Sequence, residues 1–120
     1  MAIPYHEPTS DLSNATREIH RAISTLVEEL EAVDWYHQRV DVTGDESLKA
    51  ILEHNRDEEI EHAAMALEWL RRQMPEFDEE LRTYLFTTAP ITEIEDAETH
   101  SDSTASSAGS GDGLGIGKLV

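Results

Sequence analysis

Residues 57–65 read Asp-Glu-Glu-Ile-Glu-His-Ala-Ala-Met, a run of ionisable groups that turns into plain helix core. Glu59 and His62 are three positions apart, so on a helix both side chains point the same way. A carboxylate beside an imidazole is a ligand pair for hard or borderline divalent cations such as iron and manganese. Upstream, Glu29 lies three residues after Leu26 and four before Val33, with Ala22 and Tyr36 seven residues to either side. A carboxylate in such a row is costly when desolvated and unpaired, and a cation removes that cost. Two further groups share helix faces. Glu28, Glu31 and Trp35 stand at i, i+3 and i+7 with Asp34 close by, and His54, Glu58 and Glu61 form another set. The first set suits transient attraction of cations on their way to Glu29, and the second an adventitious cation. The plain alternative for both is a solvated acidic face. The sequence has neither an H-E-x-x-H zinc motif nor a phosphate-binding glycine loop, and no Ser–His–Asp set can be argued.

Two long helices must carry these residues. The first follows an extended arm, residues 1–9 with Pro4 and Pro8, and has Ser10 or Ser13 as its N-cap. Its apolar positions are Ile19, Ile23, Leu26, Leu30, Val33 and Val40, with His37 filling the one gap, and it ends near Asp41 at the Asp-Val-Thr-Gly-Asp break. The second opens at Asp45 and runs towards Pro75, with the row Leu48, Leu52, Asn55, Glu59, His62, Ala66, Trp69 and with Arg71 and Arg72 in its last turn. The short connection makes the pair an antiparallel hairpin, each arm about 42 Å long. Residues 76–87 form a shorter amphipathic helix with Phe77, Leu81, Tyr84 and Leu85 on one side, and residues 91–98 add another turn or two. The expected organisation is an arm over 1–9, a helical domain over 10–97, a Ser/Gly-rich flexible linker over 98–110 and an apolar tip over 111–120.

The formal charge is −17, of which −12 falls before residue 91 and −5 after it. A field of that sign repels nucleic acid and anionic membranes and concentrates cations. There is no cysteine, so disulfides and thiolate metal sites are excluded. No apolar run approaches the length of a membrane span and the N-terminus lacks the order of a signal peptide, which leads to the expectation of a soluble cytoplasmic protein. About 90 residues of helix make a thin core, so self-association is expected on size alone. The ligand count points the same way. Di-iron sites in helical bundles take a Glu from each of two helices and a Glu-x-x-His from each of the other two. One chain supplies half of that set, and two copies related by a two-fold axis would supply Glu29, Glu59 and His62 twice over, for two metals.

The segments Glu-Glu-Leu-Glu-Ala-Val-Asp-Trp-Tyr-His-Gln-Arg-Val-Asp (28–41) and His-Asn-Arg-Asp-Glu-Glu-Ile-Glu-His-Ala-Ala-Met-Ala-Leu-Glu-Trp-Leu-Arg-Arg (54–72), followed by Arg-Thr-Tyr-Leu-Phe-Thr (82–87), closely resemble the encapsulated ferritins. The ending Gly-Asp-Gly-Leu-Gly-Ile-Gly-Lys-Leu-Val (111–120) resembles the peptide that docks such cargo inside encapsulin nanocompartments. The resemblance implies an all-α fold: an antiparallel two-helix hairpin plus a short C-terminal helix, dimerising into a ferritin-like four-helix bundle. It implies a ferroxidase centre of Glu29, Glu59 and His62, with Trp35 beside it and Glu28 and Glu31 along the approach of metal. It further implies oxidation of Fe(II) to Fe(III) with oxygen, two irons per dimer, a ring-shaped decamer of five dimers, and ferric iron stored by an encapsulin shell bound through residues 111–120. Other divalent metals can stand in for iron. His37 is a departure, standing where the resemblance leads one to expect an acidic residue, and it adds a candidate ligand near the approach. Two other readings compete: a non-enzymatic metal-binding helical cargo protein, and a di-iron peroxidase of rubrerythrin-like type. The absence of cysteine rules out the rubredoxin-type iron centre that many rubrerythrins use.

Overall fold

In a computed structural model the described residues are 3–104, with side chains described over 3–98. They are helical throughout, with no strand among them, and they divide into two compact units at the Gln73–Met74 step. The first unit begins with a 3-10 turn at Thr9–Asp11 and consists mainly of two helices, α1 (Asn14–Val42) and α2 (Glu46–Gln73). Ser13 is the N-cap of α1, its hydroxyl oxygen accepting the Thr16 N–H at 3.1 Å. At the start of α2, Asp45 Oδ1 accepts the Leu48 N–H at 2.9 Å and the Ser47 hydroxyl at 2.7 Å. Those two donors hold the Asp45 carboxyl below its ordinary range. Gly44, which looked like the helix breaker, has open space around its Cβ direction and no positive φ. The break is made by the cap at Asp45 rather than by glycine freedom.

The hairpin is antiparallel, since Glu29 lies opposite His62 while the later His37 lies opposite the earlier Arg56. Its seam keeps Ile19, Ile23, Leu26, Val33 and Val40 of the expected α1 row and Leu52, Asn55, Glu59 and Ala66 of the expected α2 row. On α1 the covered positions also include Ala22, Val27, Glu29 and Tyr36, and on α2 Lys49, Arg56, Ala63, Leu67 and Leu70. Recurrence at steps of three and four is the signature of two helices packed along their length. Leu30 and His37 therefore fall outside the seam of α1, and Leu48, His62 and Trp69 flank that of α2. Among the described residues only Val40, Ala63 and Leu70 are buried hydrophobics. Leu30, Ile51, Ile60 and Met65 are exposed apolar side chains on this unit.

The second unit holds α3 (Pro75–Tyr84) and α4 (Ile91–Thr104). Pro75 sits at the first position of α3, where its missing N–H costs nothing. Phe77, Leu81 and Tyr84 are half-covered as expected, but Leu85 lies beyond the helix end and is exposed. α3 is thus followed by a helix over the residues 91–98 that were expected to add a turn or two. α4 runs on through residues 99–104, where the linker was expected to have begun; Ser, Thr and Asp are only mildly unfavourable in a helix already started. The rest of the linker and the terminal stretch 111–120 lie outside the described residues.

Candidate metal centre

Glu29, near the middle of α1, and Glu59, near the middle of α2, both lie in the seam, with side chains 22% and 25% exposed. His62 follows Glu59 by one turn at the flank, 46% exposed, and turns its ring towards both carboxyl groups. Its Nδ1 is 3.6 Å from Glu29 Oε2 and 3.9 Å from Glu59 Oε1. These separations are too long for hydrogen bonds. They suit ligands of a common cation, because donors bound at about 2.1 Å to one metal stand roughly 3 to 4 Å apart. One donor atom from each of the three residues lies within 4.8 Å of the others.

The electrostatics describe a site short of a positive charge. Glu29 Oε2 is buried and has no hydrogen-bond partner. The Glu59 carboxyl is pushed above its ordinary value, first by sharing a hydrogen bond with the Glu29 carboxyl, then by burial and by the Glu29 charge, with His62 pulling the other way. Two carboxyl groups this close disfavour one another's charged form, and a cation between them would relieve that repulsion. An orphaned carboxylate oxygen, a second carboxylate whose charge is disfavoured and an aimed imidazole are a donor set that fits a divalent cation.

The other sequence-singled residues are not gathered in the same way. Among the described residues no second group of three His, Asp or Glu side chains brings its donor atoms so close. Glu28, next to Glu29 on α1, is exposed; Glu31, two residues after it, is half-buried; and Trp35, a turn beyond Glu31, is exposed. His54 Nε2 stands 4.0 Å from Glu58 Oε1 with both side chains largely in solvent, and Glu61 is exposed. His37 does not present a free Nδ1, which lies 3.2 Å from a terminal nitrogen of Arg56. A guanidinium only donates, so His37 accepts through Nδ1. Arg56 was missed by the periodicity argument, which placed Asn55 in the row. Its signal was its position three residues before Glu59.

A family model described as EncFtn-like matches residues 4–88, the whole hairpin and α3. The chain belongs to the EncFtn-like family. Among relatives, a protein of Thermotoga maritima named ferritin-like protein is 59% identical over 119 residues, spanning 99% of this chain and 100% of that one. The encapsulated ferritin-like protein of Rhodospirillum rubrum is 57% identical over 120 residues, spanning 95% of this chain and 86% of its own. A crystal structure of a protein from Nitrosomonas europaea matches with a TM-score of 0.72 at 64% identity, covering 74% of this chain and 98% of that one. The family assignment agrees with an all-helical hairpin, and no described helix is long and apolar enough to cross a membrane.

Proposed function

We propose that this EncFtn-like chain is a ferroxidase that oxidises Fe(II) to Fe(III) with oxygen at a di-iron centre shared by two copies. The observation that carries this reading is the Glu29–Glu59–His62 cluster, with donor atoms within 4.8 Å and one buried carboxylate oxygen unpaired. A single chain holds three donors. A two-fold pair would hold six on four helices, which is the complement of a bundle di-iron site. The exposed apolar residues Leu30, Ile60 and Met65 on the hairpin support pairing. Fe(II) is the substrate. Glu29 and Glu59 would supply carboxylate oxygens to it, and His62 would supply an imidazole nitrogen to each iron. Four carboxylates facing two metals attract Fe(III) more strongly than Fe(II), and so favour oxidation. Glu28 and Glu31 on α1 attract the cation and pass it inward, with Trp35 alongside.

The remaining parts of the proposal concern assembly. The name of the Rhodospirillum rubrum relative, an encapsulated ferritin-like protein, supports a place for this chain inside a shell, and the shell proposed is an encapsulin in the cytoplasm. Residues 111–120 would be the docking peptide, dimers would assemble further into a ring-shaped decamer, and the shell would store the ferric product. The decisive assay is oxygen-dependent ferric absorbance on addition of Fe(II). It is expected to scale with one iron per chain, to continue with repeated additions, and to be lost in Glu59→Ala. A merely metal-binding cargo protein would saturate and stop. Wild-type oxidation rates in all of Glu29→Ala, Glu59→Ala and His62→Ala would place the chemistry elsewhere. A chain ending at Ala108 should no longer co-purify with the shell, and its retention would remove the docking role of the tail.

A further inference from the structure

The face of α2 that covers α1 and the row expected from the sequence share Leu52, Glu59 and Ala66. They differ by a rotation of α2 about its own axis of roughly 60°, given about 100° per residue in a 3.6-residue turn. The observed rotation brings Lys49, Arg56, Ala63 and Leu70 towards α1 and leaves Leu48, His62 and Trp69 at the flank. The other rotation would cover Leu48, His62 and Trp69 instead. Apolar burial does not favour what is observed. Leu48 and Trp69 stay 44% and 38% exposed, while a lysine and an arginine are half-buried. Ala63 and Leu70 gain from the observed rotation, but a leucine and a tryptophan are the larger pair. A polar contact made in only one of two such arrangements can decide between them, and fixing register is the best-attested use of a covered charge.

Arg56 makes such a contact. Its Nη1 donates to His37 Nδ1 across the hairpin at 3.2 Å. Its Nε also donates to Asp57 Oδ1 at 3.1 Å, but that pair lies within α2 and turns with it. Arg56 and Glu59 stand at i and i+3 on one rigid helix, so tying the first to α1 fixes the direction of the second. In the other rotation Arg56 would swing roughly 60° out of the seam and away from His37, and His62 would be covered by α1. We propose that His37 and Arg56 are a positioning pair, whose hydrogen bond holds α2 in the rotation that sets Glu59 beside Glu29 and keeps His62 at the edge, open to a second copy. The proposal rests on the metal reading of Glu29, Glu59 and His62, and neither member of the pair is itself a ligand. A hydrogen bond of this kind biases an equilibrium by roughly threefold to tenfold. The fraction of chains in the competent rotation scales the apparent metal affinity by the same factor.

The chain has two tryptophans, so with Trp35→Phe as background Trp69 alone reports the rotation. In chelator, at an association state matched by sedimentation, His37→Ala should shift Trp69 emission to shorter wavelength and slow its quenching by acrylamide, as the ring moves from the flank into the seam. His37→Asn, whose Oδ1 stands where Nδ1 stood, should restore the original spectrum. Leu52→Val removes packing common to both rotations, so it should lower stability and leave the spectrum where it was. The second readout, with Trp35 intact, is Co(II) binding followed by its visible absorbance, which Glu59→Ala should abolish. His37→Ala should weaken that binding roughly threefold to tenfold, His37→Asn should restore it, and Leu52→Val should leave it unchanged. An unshifted Trp69 in His37→Ala, equal shifts in His37→Ala and Leu52→Val, or unchanged Co(II) affinity in His37→Ala overturns the inference. Co(II) binding that survives Glu59→Ala overturns the metal reading, and with it the positioning role, while the Trp69 shift reports the rotation by itself.

Discussion

The site should make the metal-free hairpin less stable than it would be without Glu59's charge, and Glu59→Gln tests this directly. Glutamine keeps the shape and removes the charge. With donor atoms of the two carboxyl groups within 4.8 Å, two full charges repel by about 1 kcal/mol at the dielectric of water and about 3.5 kcal/mol at an effective dielectric of 20. The partial exposure of both groups and the opposing pull of His62 place the expected gain of Glu59→Gln towards the lower part of that range, about 1–2 kcal/mol. For a unit of this size that is a rise in melting temperature of at least about 4 °C at pH 7 in chelator. The pH dependence has a definite sign. A carboxyl whose folded pKa is raised contributes its stability below the ordinary value of 4.5 and loses it as pH rises through the folded value. The gap between Glu59→Gln and wild type should therefore open between pH 4.5 and 7 and close below. Saturating divalent metal should reverse the order, since a cation at a hundred times its dissociation constant stabilises the wild type by about 2.7 kcal/mol. If Glu59→Gln melts at or below wild type in chelator at pH 7, Glu29 and Glu59 do not strain one another and the metal argument loses its electrostatic basis.

Glu68 accepts from Arg71 Nε at 2.7 Å and from Arg72 Nε at 2.7 Å, which holds its carboxyl down at about 2. Its depressed pKa contributes stability above pH 4.5 that is lost as pH falls towards 2, so Glu68→Gln should flatten acid unfolding, followed by circular dichroism, within that window. His37→Ala removes the hydrogen bond that joins His37 on α1 to Arg56 on α2 and should lower stability by about 0.5–1 kcal/mol, read from the denaturant midpoint; an unchanged midpoint would mean that the Arg56 contact is idle.

The parts of this structure legible in the sequence were those governed by local chemistry. Ser13 and Asp45 cap their helices because a side-chain oxygen two or three residues before a free N–H acts without tertiary help. The clustering of Glu29, Glu59 and His62 was also legible, because the i, i+3 pair fixes its own geometry and Glu29 stood near apolar neighbours. The seam phase was less so. Leu30 and His62 fit a helical row as well as Glu29 and Ala63 do, and hydrophobicity favours the leucine. The folded hairpin chooses Glu29 and Ala63, and takes in Lys49 and Arg56, because close helix approach rewards small residues and long side chains whose charged ends reach the edge. The extension of α4 and the turn at Phe86 were hidden for opposite reasons. Residues 99–104 look like linker by composition yet continue a helix, and Phe86 is the wrong residue type for the conformation it adopts, a positive φ of 61°.

That seam also connects the small core to the chemistry. A two-helix unit has one contact surface, and here its middle is given to Glu29, Glu59 and Arg56 rather than to leucine or isoleucine. Replacing those residues with apolar ones would strengthen the isolated hairpin, as replacing buried charges often does. On the proposed function, retaining them leaves a fold whose interior would be completed from outside, by a cation between the carboxylates and by another copy over the exposed Leu30, Ile60 and Met65. Stability, assembly and metal uptake then become linked equilibria: whatever binds the folded, associated form stabilises it in proportion to its concentration. On this argument the dilute, chelated chain is its least stable form, and each added component should raise the melting temperature even when the other is withheld.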